Sequence, residues 1–112
     1  MDQEQSVIPL TPQDALANFY KEIPNKVIEC WNECISENLS VRGKNVSSHF
    51  FLADISEKVM KKMSCTHEEA HKKGWFDLED VFRKQGWKVK YDQPAYNESY
   101  KAFFEFSNKN ND

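Results

Sequence analysis

The sequence predicts a small α+β domain in which helices pack on an antiparallel β-hairpin. Three observations carry that reading. The first is a change of hydrophobic period at Gly86: before it Trp75, Leu78, Phe82 and Gln85, with Val81 beside them, fall at helical steps, and after it Trp87, Val89 and Tyr91 alternate with Lys88 and Lys90. The second is the stretch from Gln93 to Ser99, whose turn-forming residues interrupt this alternation before Tyr100, Ala102, Phe104 and Phe106 resume a two-residue period. The third is a series of amphipathic helical stripes upstream, each needing an apolar surface to pack on.

In chain order, residues 1–10 are polar and unpatterned and are expected to form a flexible tail, as are residues 108–112, leaving 11–107 as one domain. Thr11-Pro12-Gln13-Asp14 is a helix start, with a hydroxyl for the N-cap and proline where no amide donor is needed. That helix is short and presents Leu16, Phe19 and Tyr20. Ile23-Pro24 restarts the chain as a longer helix to about Leu39, with Val27, Ile28, Trp31, Ile35 and Leu39 on one stripe and Glu29, Glu33 and Glu37 on a solvated face. Arg42-Gly43-Lys44-Asn45 is a turn, and the residues around Val46 have room for one short strand, a third for the later hairpin. A helix from about Ser48 to Met63 then buries Phe51 or Leu52, Ile55, Val59 and Met63 while Lys58, Lys61 and Lys62 face out. Thr66 and Glu69 have capping-box spacing, and Gly74 is placed to close that brief helix in a left-handed conformation.

Composition narrows the class. A chain of 112 residues with 13% aromatics can bury roughly two thirds of its unfolded surface without a covalent staple. There is no apolar run of about 18 residues and no secretory pattern at the amino terminus, so a soluble cytosolic protein with no membrane partner is expected. Three cysteines fit reduced thiols. The net charge of -3 is uneven: residues 1–39 carry seven acids and two bases, residues 40–112 eleven acids and thirteen bases, and residues 58–90 nine bases and five acids. A basic patch on the carboxy-terminal part follows, too weak for a dedicated high-affinity nucleic-acid binder.

A long helix, a small strand, a helical corner and a two-stranded wing are together a winged-helix-like order. The strings IPNKVIECWNE, KKGWFDLEDVFRKQGWKVKYD and QPAYNESYKAFFEF resemble a recurrent pattern in small proteins of tailed bacteriophages, over roughly residues 23–106 and most specifically over 74–100. The HEEAHKK segment departs from that pattern, with Ala70 where a large apolar residue is expected. The resemblance implies a phage origin, a compact helix-plus-wing domain and a place in the bacterial host cytoplasm or the virion; it brings no catalytic or binding residues with it.

Two function classes follow. In the first, DNA is the partner: the helix from about Asp77 to Gln85 enters the major groove and Arg83, Lys84, Lys88, Lys90 and Lys101 contact phosphates and bases, with Lys72 and Lys73 flanking. Asp77, Glu79 and Asp80 oppose this, since they would meet the negative potential of DNA, although acids at a helix start are also ordinary dipole stabilisers. In the second, the domain binds a host or phage protein, or another copy of itself, through Tyr96 at the turn and an off-phase Phe103. Cys30, Cys34, Cys65, His67 and His71 are soft-ligand residues, yet they lack the paired short loops of a zinc site, and cysteine beside a core stripe commonly acts as a small apolar side chain. No motif calls for a cofactor, and no phosphate loop or nucleophile elbow suggests an enzyme.

Overall fold

The computed structural model describes residues 8–108; of the two expected tails, residues 1–7 and 109–112 lie outside the described residues. The expected α+β class is the architecture found. Helices α1 (Pro12–Lys21) and α2 (Asn25–Glu37) lead into strands β1 (Leu39–Arg42) and β2 (Asn45–Phe51). Helices α3 (Leu52–Met63), α4 (His67–Lys72) and α5 (Glu79–Arg83) follow, then β3 (Lys88–Asp92) and β4 (Phe103–Ser107). The strands form one antiparallel sheet in the order β1-β2-β4-β3.

The helices cover one face of that sheet because their apolar stripes meet its inward side chains. Phe50, Phe104, Phe106 and Val89 are buried beneath Val27, Trp31, Ile35, Ile55, Val59, Leu78 and Phe82. Trp31 of α2 is the hub: its ring lies 6.0 Å from Phe50, 4.8 Å from Phe104, 6.2 Å from Phe106 and 5.8 Å from Phe82, in the tilted and edge-on arrangements aromatic pairs prefer. Its indole N–H donates to the Trp75 carbonyl at 3.0 Å, so the buried polar atom is satisfied.

Several local expectations are met in detail. Thr11 Oγ1 accepts from the Asp14 amide at 3.0 Å, and Thr66 and Glu69 form the reciprocal capping box at 3.1 and 2.8 Å. Gly74, at φ +74°, ends α4: its N–H donates to the His71 carbonyl and that of Trp75 to the Ala70 carbonyl. Ala70, small where the resembling pattern has a large residue, is fully buried. The hairpin of β3 and β4 pairs as expected, Val89 opposite Phe106 and Tyr91 opposite Phe104, although β4 begins at Phe103 rather than at Tyr100.

The stretch 38–51 differs. Helix α2 stops at Glu37, where Asn38 turns its side-chain amide back to the Cys34 carbonyl at 2.9 Å, and Leu39 opens a strand. Gly43, at φ +62°, makes the two-residue turn that lets β1 fold back on β2, so two strands stand where one was expected. Residues 48–51, expected as helix, alternate buried Ser48 and Phe50 with exposed His49 and Phe51, and α3 starts only at Leu52. Ser48 keeps its hydroxyl satisfied on the Ile35 carbonyl at 2.9 Å. On α2, Cys30 and Cys34 are fully buried beside the expected stripe, Ile28 is half-buried against the core, Leu39 lies beyond the helix, and Leu16 of α1 faces solvent. Helix α5 is five residues long, shorter than the expected span from Asp77 to Gln85. No helix among the described residues is long and apolar enough to cross a membrane.

Because Trp31 joins α2, the sheet, α5 and the segment after α4, its substitution separates packing from hydrogen bonding. Trp31→Ala is expected to cost about 3–5 kcal/mol. Trp31→Phe keeps much of the ring but strands the Trp75 carbonyl, at about 1–3 kcal/mol. Urea unfolding followed by circular dichroism measures both.

Candidate functional site

The sheet has a second face, and no helix among the described residues covers it. Strand alternation and the observed register place on it Ser40 and Arg42 of β1, Asn45, Ser47, His49 and Phe51 of β2, Phe103, Glu105 and Ser107 of β4, and Lys88, Lys90 and Asp92 of β3. Rows run across it: Phe51 beside Phe103 beside Asp92, then His49 beside Glu105 beside Lys90, then Ser47 beside Ser107 beside Lys88.

Aromatic side chains gather at one end of the two central strands. The His49 ring lies over Phe103 at 4.6 Å with 31° between planes, meets Phe51 edge-on at 5.7 Å, and Tyr100 adds a fourth ring 6.1 Å from Phe103. Phe51 is 38% exposed, a large apolar ring open to solvent on a central strand. Lys101 holds its ammonium 5.8 Å from the Phe51 centroid, within cation–π range. The loop between β3 and β4 is tied down beside this cluster: Tyr100 Oη donates to Asp92 Oδ1 and lies 2.8 Å from the Gln93 carbonyl as well. Tyr96 stands fully exposed in that loop, in a tight turn closed by the Glu98 amide on the Ala95 carbonyl and by Glu98 Oε1 on the Ala95 amide at 2.8 Å.

Cations share this face: Lys101 lies beside the aromatic cluster, Lys90 one row away, and Lys88 and Arg42 toward the opposite end of the strands. Among the described residues, none of Arg42, Lys88, Lys90 and Lys101 forms an ion pair with another described residue. Helix lysines behave differently: Lys62 lies 3.4 and 2.8 Å from Glu29 and Glu33, and Lys58 lies 3.5 and 3.0 Å from Glu33 and Glu37. The acidic line of α2 is thus matched by α3, a correction to its expected role as a merely solvated face. The Lys62 hydrogen bond holds Glu33 below the usual carboxylate range.

The sequence-selected cations therefore fall into two groups. Lys88 and Lys90 share the open face with Phe103, two rows and one row away from it, and Lys101 lies at its aromatic end. Arg83 does not join them: its guanidinium donates to Asp80 at 2.7 Å and to the Val89 carbonyl at 2.8 Å. Lys84 lies 5.1 Å from the Tyr20 ring and Lys73 5.9 Å from the Trp75 ring, both within the helical layer, and Lys72 is exposed in the last turn of α4. Sequence reasoning missed His49, Phe51 and Arg42. The usable signal was the Gly43-Lys44 turn, which makes His49-Phe50-Phe51 an alternating strand.

The soft-ligand residues are dispersed. Cys30 and Cys34 are core residues whose thiols burial pushes up, Cys34 to about 12, and burial raises Cys65 too, so the thiolate a metal needs is disfavoured at all three. His67 Nδ1 lies 2.6 Å from Ser56 Oγ, joining α4 to α3, and the His67 and His71 rings are parallel at 6.4 Å. Among the described residues, no three His, Cys, Asp or Glu side chains converge on a metal position.

In comparison with known proteins, no family model matches the chain, and neither a curated protein nor a solved structure matches it.

Tyr100 offers a check on the loop geometry. Its hydrogen bond to Asp92 pushes the phenol up to about 12. A folded-state value above the unfolded one means the bond stabilises fully below about pH 10 and is lost as pH rises through about 12. Alkaline titration of tyrosine absorbance should show a step near the upper value, and Tyr100→Phe should remove it.

Proposed function

We propose that this protein is a non-enzymatic binding domain that takes single-stranded nucleic acid across the open face of its sheet. The observation that carries the reading is the ring cluster of exposed His49 and Phe51 with half-buried Phe103 on the two central strands, beside Lys101 and one row from Lys90, on a face whose further rows carry Lys88 and Arg42; among the described residues none of these four cations is ion-paired. Unpaired bases present ring faces that stack on aromatic side chains, while the phosphates meet the lysines. A duplex hides those ring faces, so the cluster favours single strands. Glu105, between His49 and Lys90, lowers the positive potential in the middle of the face, so affinity is modest and strongly salt-dependent.

A winged-helix mode, with α5 in a major groove, has less support: the helix holds five residues, starts with Glu79 and Asp80, and its Arg83 is engaged within the domain. The resemblance to small tailed-phage proteins supports an accessory role in the cytoplasm of an infected bacterium. A protein partner is the second reading, favoured by Tyr96, which stands fully exposed in the β3–β4 loop, off the strands that would stack bases.

Fluorescence anisotropy with short labelled single-stranded DNA and RNA tests the proposal, duplex DNA serving as the comparison. Single strands should bind at low salt and duplex more weakly. Phe51→Ala and Phe103→Ala should each weaken binding by about 5- to 150-fold, the range for loss of one stacked base. Replacing Lys88 and Lys90 with Glu should flatten the salt dependence by about 1–2 in log–log slope. No single-strand binding at low salt, with the fold intact by circular dichroism, sinks the reading and leaves the protein partner, for which Tyr96→Ala is the next variant.

A further inference from the structure

The two outer strands of the sheet treat their free edges differently. On β3, Lys88 and Lys90 are exposed, and Arg83 donates to the Val89 carbonyl at 2.8 Å, occupying a main-chain acceptor of that strand. Charge and a covered edge are the usual defences against pairing with another chain. Along Leu39-Ser40-Val41 of β1 there is no charged residue, and among the described residues nothing covers the edge and no helix reaches over the inner side: Leu39 is 45% and Val41 59% exposed. The main chain of β1 is also aimed outward at these two residues. Val46 directs both its N–H and its carbonyl to Asn108, away from β1, so its partner Val41 is a non-hydrogen-bonded position whose own N–H and carbonyl face out of the sheet. By alternation those of Leu39 face out as well.

We infer that β1 is the surface through which a second copy of this chain adds, antiparallel, about a two-fold axis at Ser40, to give one continuous eight-stranded sheet. The segment is self-complementary in that register. Leu39 of each copy meets Val41 of the other on the helical side, exchanging the outward main-chain hydrogen bonds, and the two Ser40 residues meet on the open side. Arg42 falls opposite Asn38 of the second copy, one residue from Glu37, whose side chain is 59% exposed and whose carboxylate would take Arg42 in addition to Lys58; the symmetry makes that charge pairing twice. A register shifted by one residue would set Val41 against Ser40, on opposite faces, so the pattern selects this pairing. Strands this short bury less than the ~1,000 Å² of a stable interface, so the dimer is weak and forms in the micromolar-to-millimolar range. The axis stands perpendicular to the sheet, which puts both open faces on one side and doubles the exposed surface whatever that surface binds.

Sedimentation velocity across concentrations, without any nucleic acid, tests this. The mass should rise from one chain toward two with concentration, and Val41→Lys should hold it at one. Ser40→Cys supplies a second readout that does not depend on equilibrium affinity. Directly opposed residues at a non-hydrogen-bonded pair stand about 4.5 Å apart at Cα, inside the range a disulfide spans. Mild oxidation should therefore link Ser40→Cys into dimers, while Ser47→Cys, on the same face one strand further in, and the unsubstituted chain should stay unlinked. A chain that remains single at the highest concentration, with Ser40→Cys linking no faster than Ser47→Cys, overturns the inference. So does a dimer that persists in Val41→Lys.

Discussion

The burial of one indole governs this fold. Trp31 sits on α2 facing the sheet, and its ring satisfies four phenylalanines from three separate segments while its N–H anchors the main chain at Trp75. A buried tryptophan gains heavily from burial but must also satisfy its single donor, so both its depth and its rotation are specified. Helix α2 can then approach the sheet at one depth only, and the segment from Trp75 to Phe82 must lie where it supplies both the acceptor and a ring. The brevity of α5 follows: its chain has to deliver Phe82 to the core and reach Gly86, at φ +102°, before entering β3.

With the packed helices on the Trp31 side of the sheet, the opposite face is left without a helix among the described residues. Alternation then gives neighbouring residues opposite environments. Phe50 and Phe104 are core, whereas Phe51 and Phe103, one residue away, lie beside each other on the outer face. The outer pair has no core to enter. His49 and Tyr100 partly shelter the Phe103 ring, and the Lys101 ammonium lies near Phe51, but water still reaches the cluster. Large apolar rings on central strands, partly open to water, with Lys101 beside them and further cations along the same face, are a surface that gains free energy when something flat and anionic covers it.

Legibility in the sequence followed how local each signal was. The β3–β4 hairpin, the capping box of Thr66 and Glu69 and the left-handed Gly74 depend on residues within a few positions of one another, and they were readable. Within 38–51 only the turn at Gly43-Lys44 and a strand at Val46 were readable. Phe51 or Leu52, Ile55 and Val59 extend a helical rhythm backward to about Ser48, into what is strand, and only the pairing of β2 with β4, more than fifty residues away, decides the matter. At the candidate site Lys88, Lys90 and Phe103 could be named because the hairpin could. Arg83 looked like their equal, since a sequence counts cations but does not say which of them a carboxylate and a carbonyl have already engaged.

Where the charges of this chain lie matters more than their sum. The chain carries a net -3, and a balance of that sign argues against a polyanionic partner if charge is taken as a sum. The structure sorts it instead. Three glutamates of α2 lie against two lysines of α3, and Asp80 lies against Arg83, so much of the acidity is compensated at short range within the helical layer. On the open face of the sheet, among the described strand residues, Asp92 accepts from Tyr100 and Glu105 is the other acid, against Arg42, Lys88, Lys90 and the adjoining Lys101. A ligand approaching within a few ångströms of the sheet meets that local surplus, because solvent ions screen the far side over about 8–10 Å. Position therefore outweighs the total, and the face with exposed rings is also the face on which cations outnumber acids.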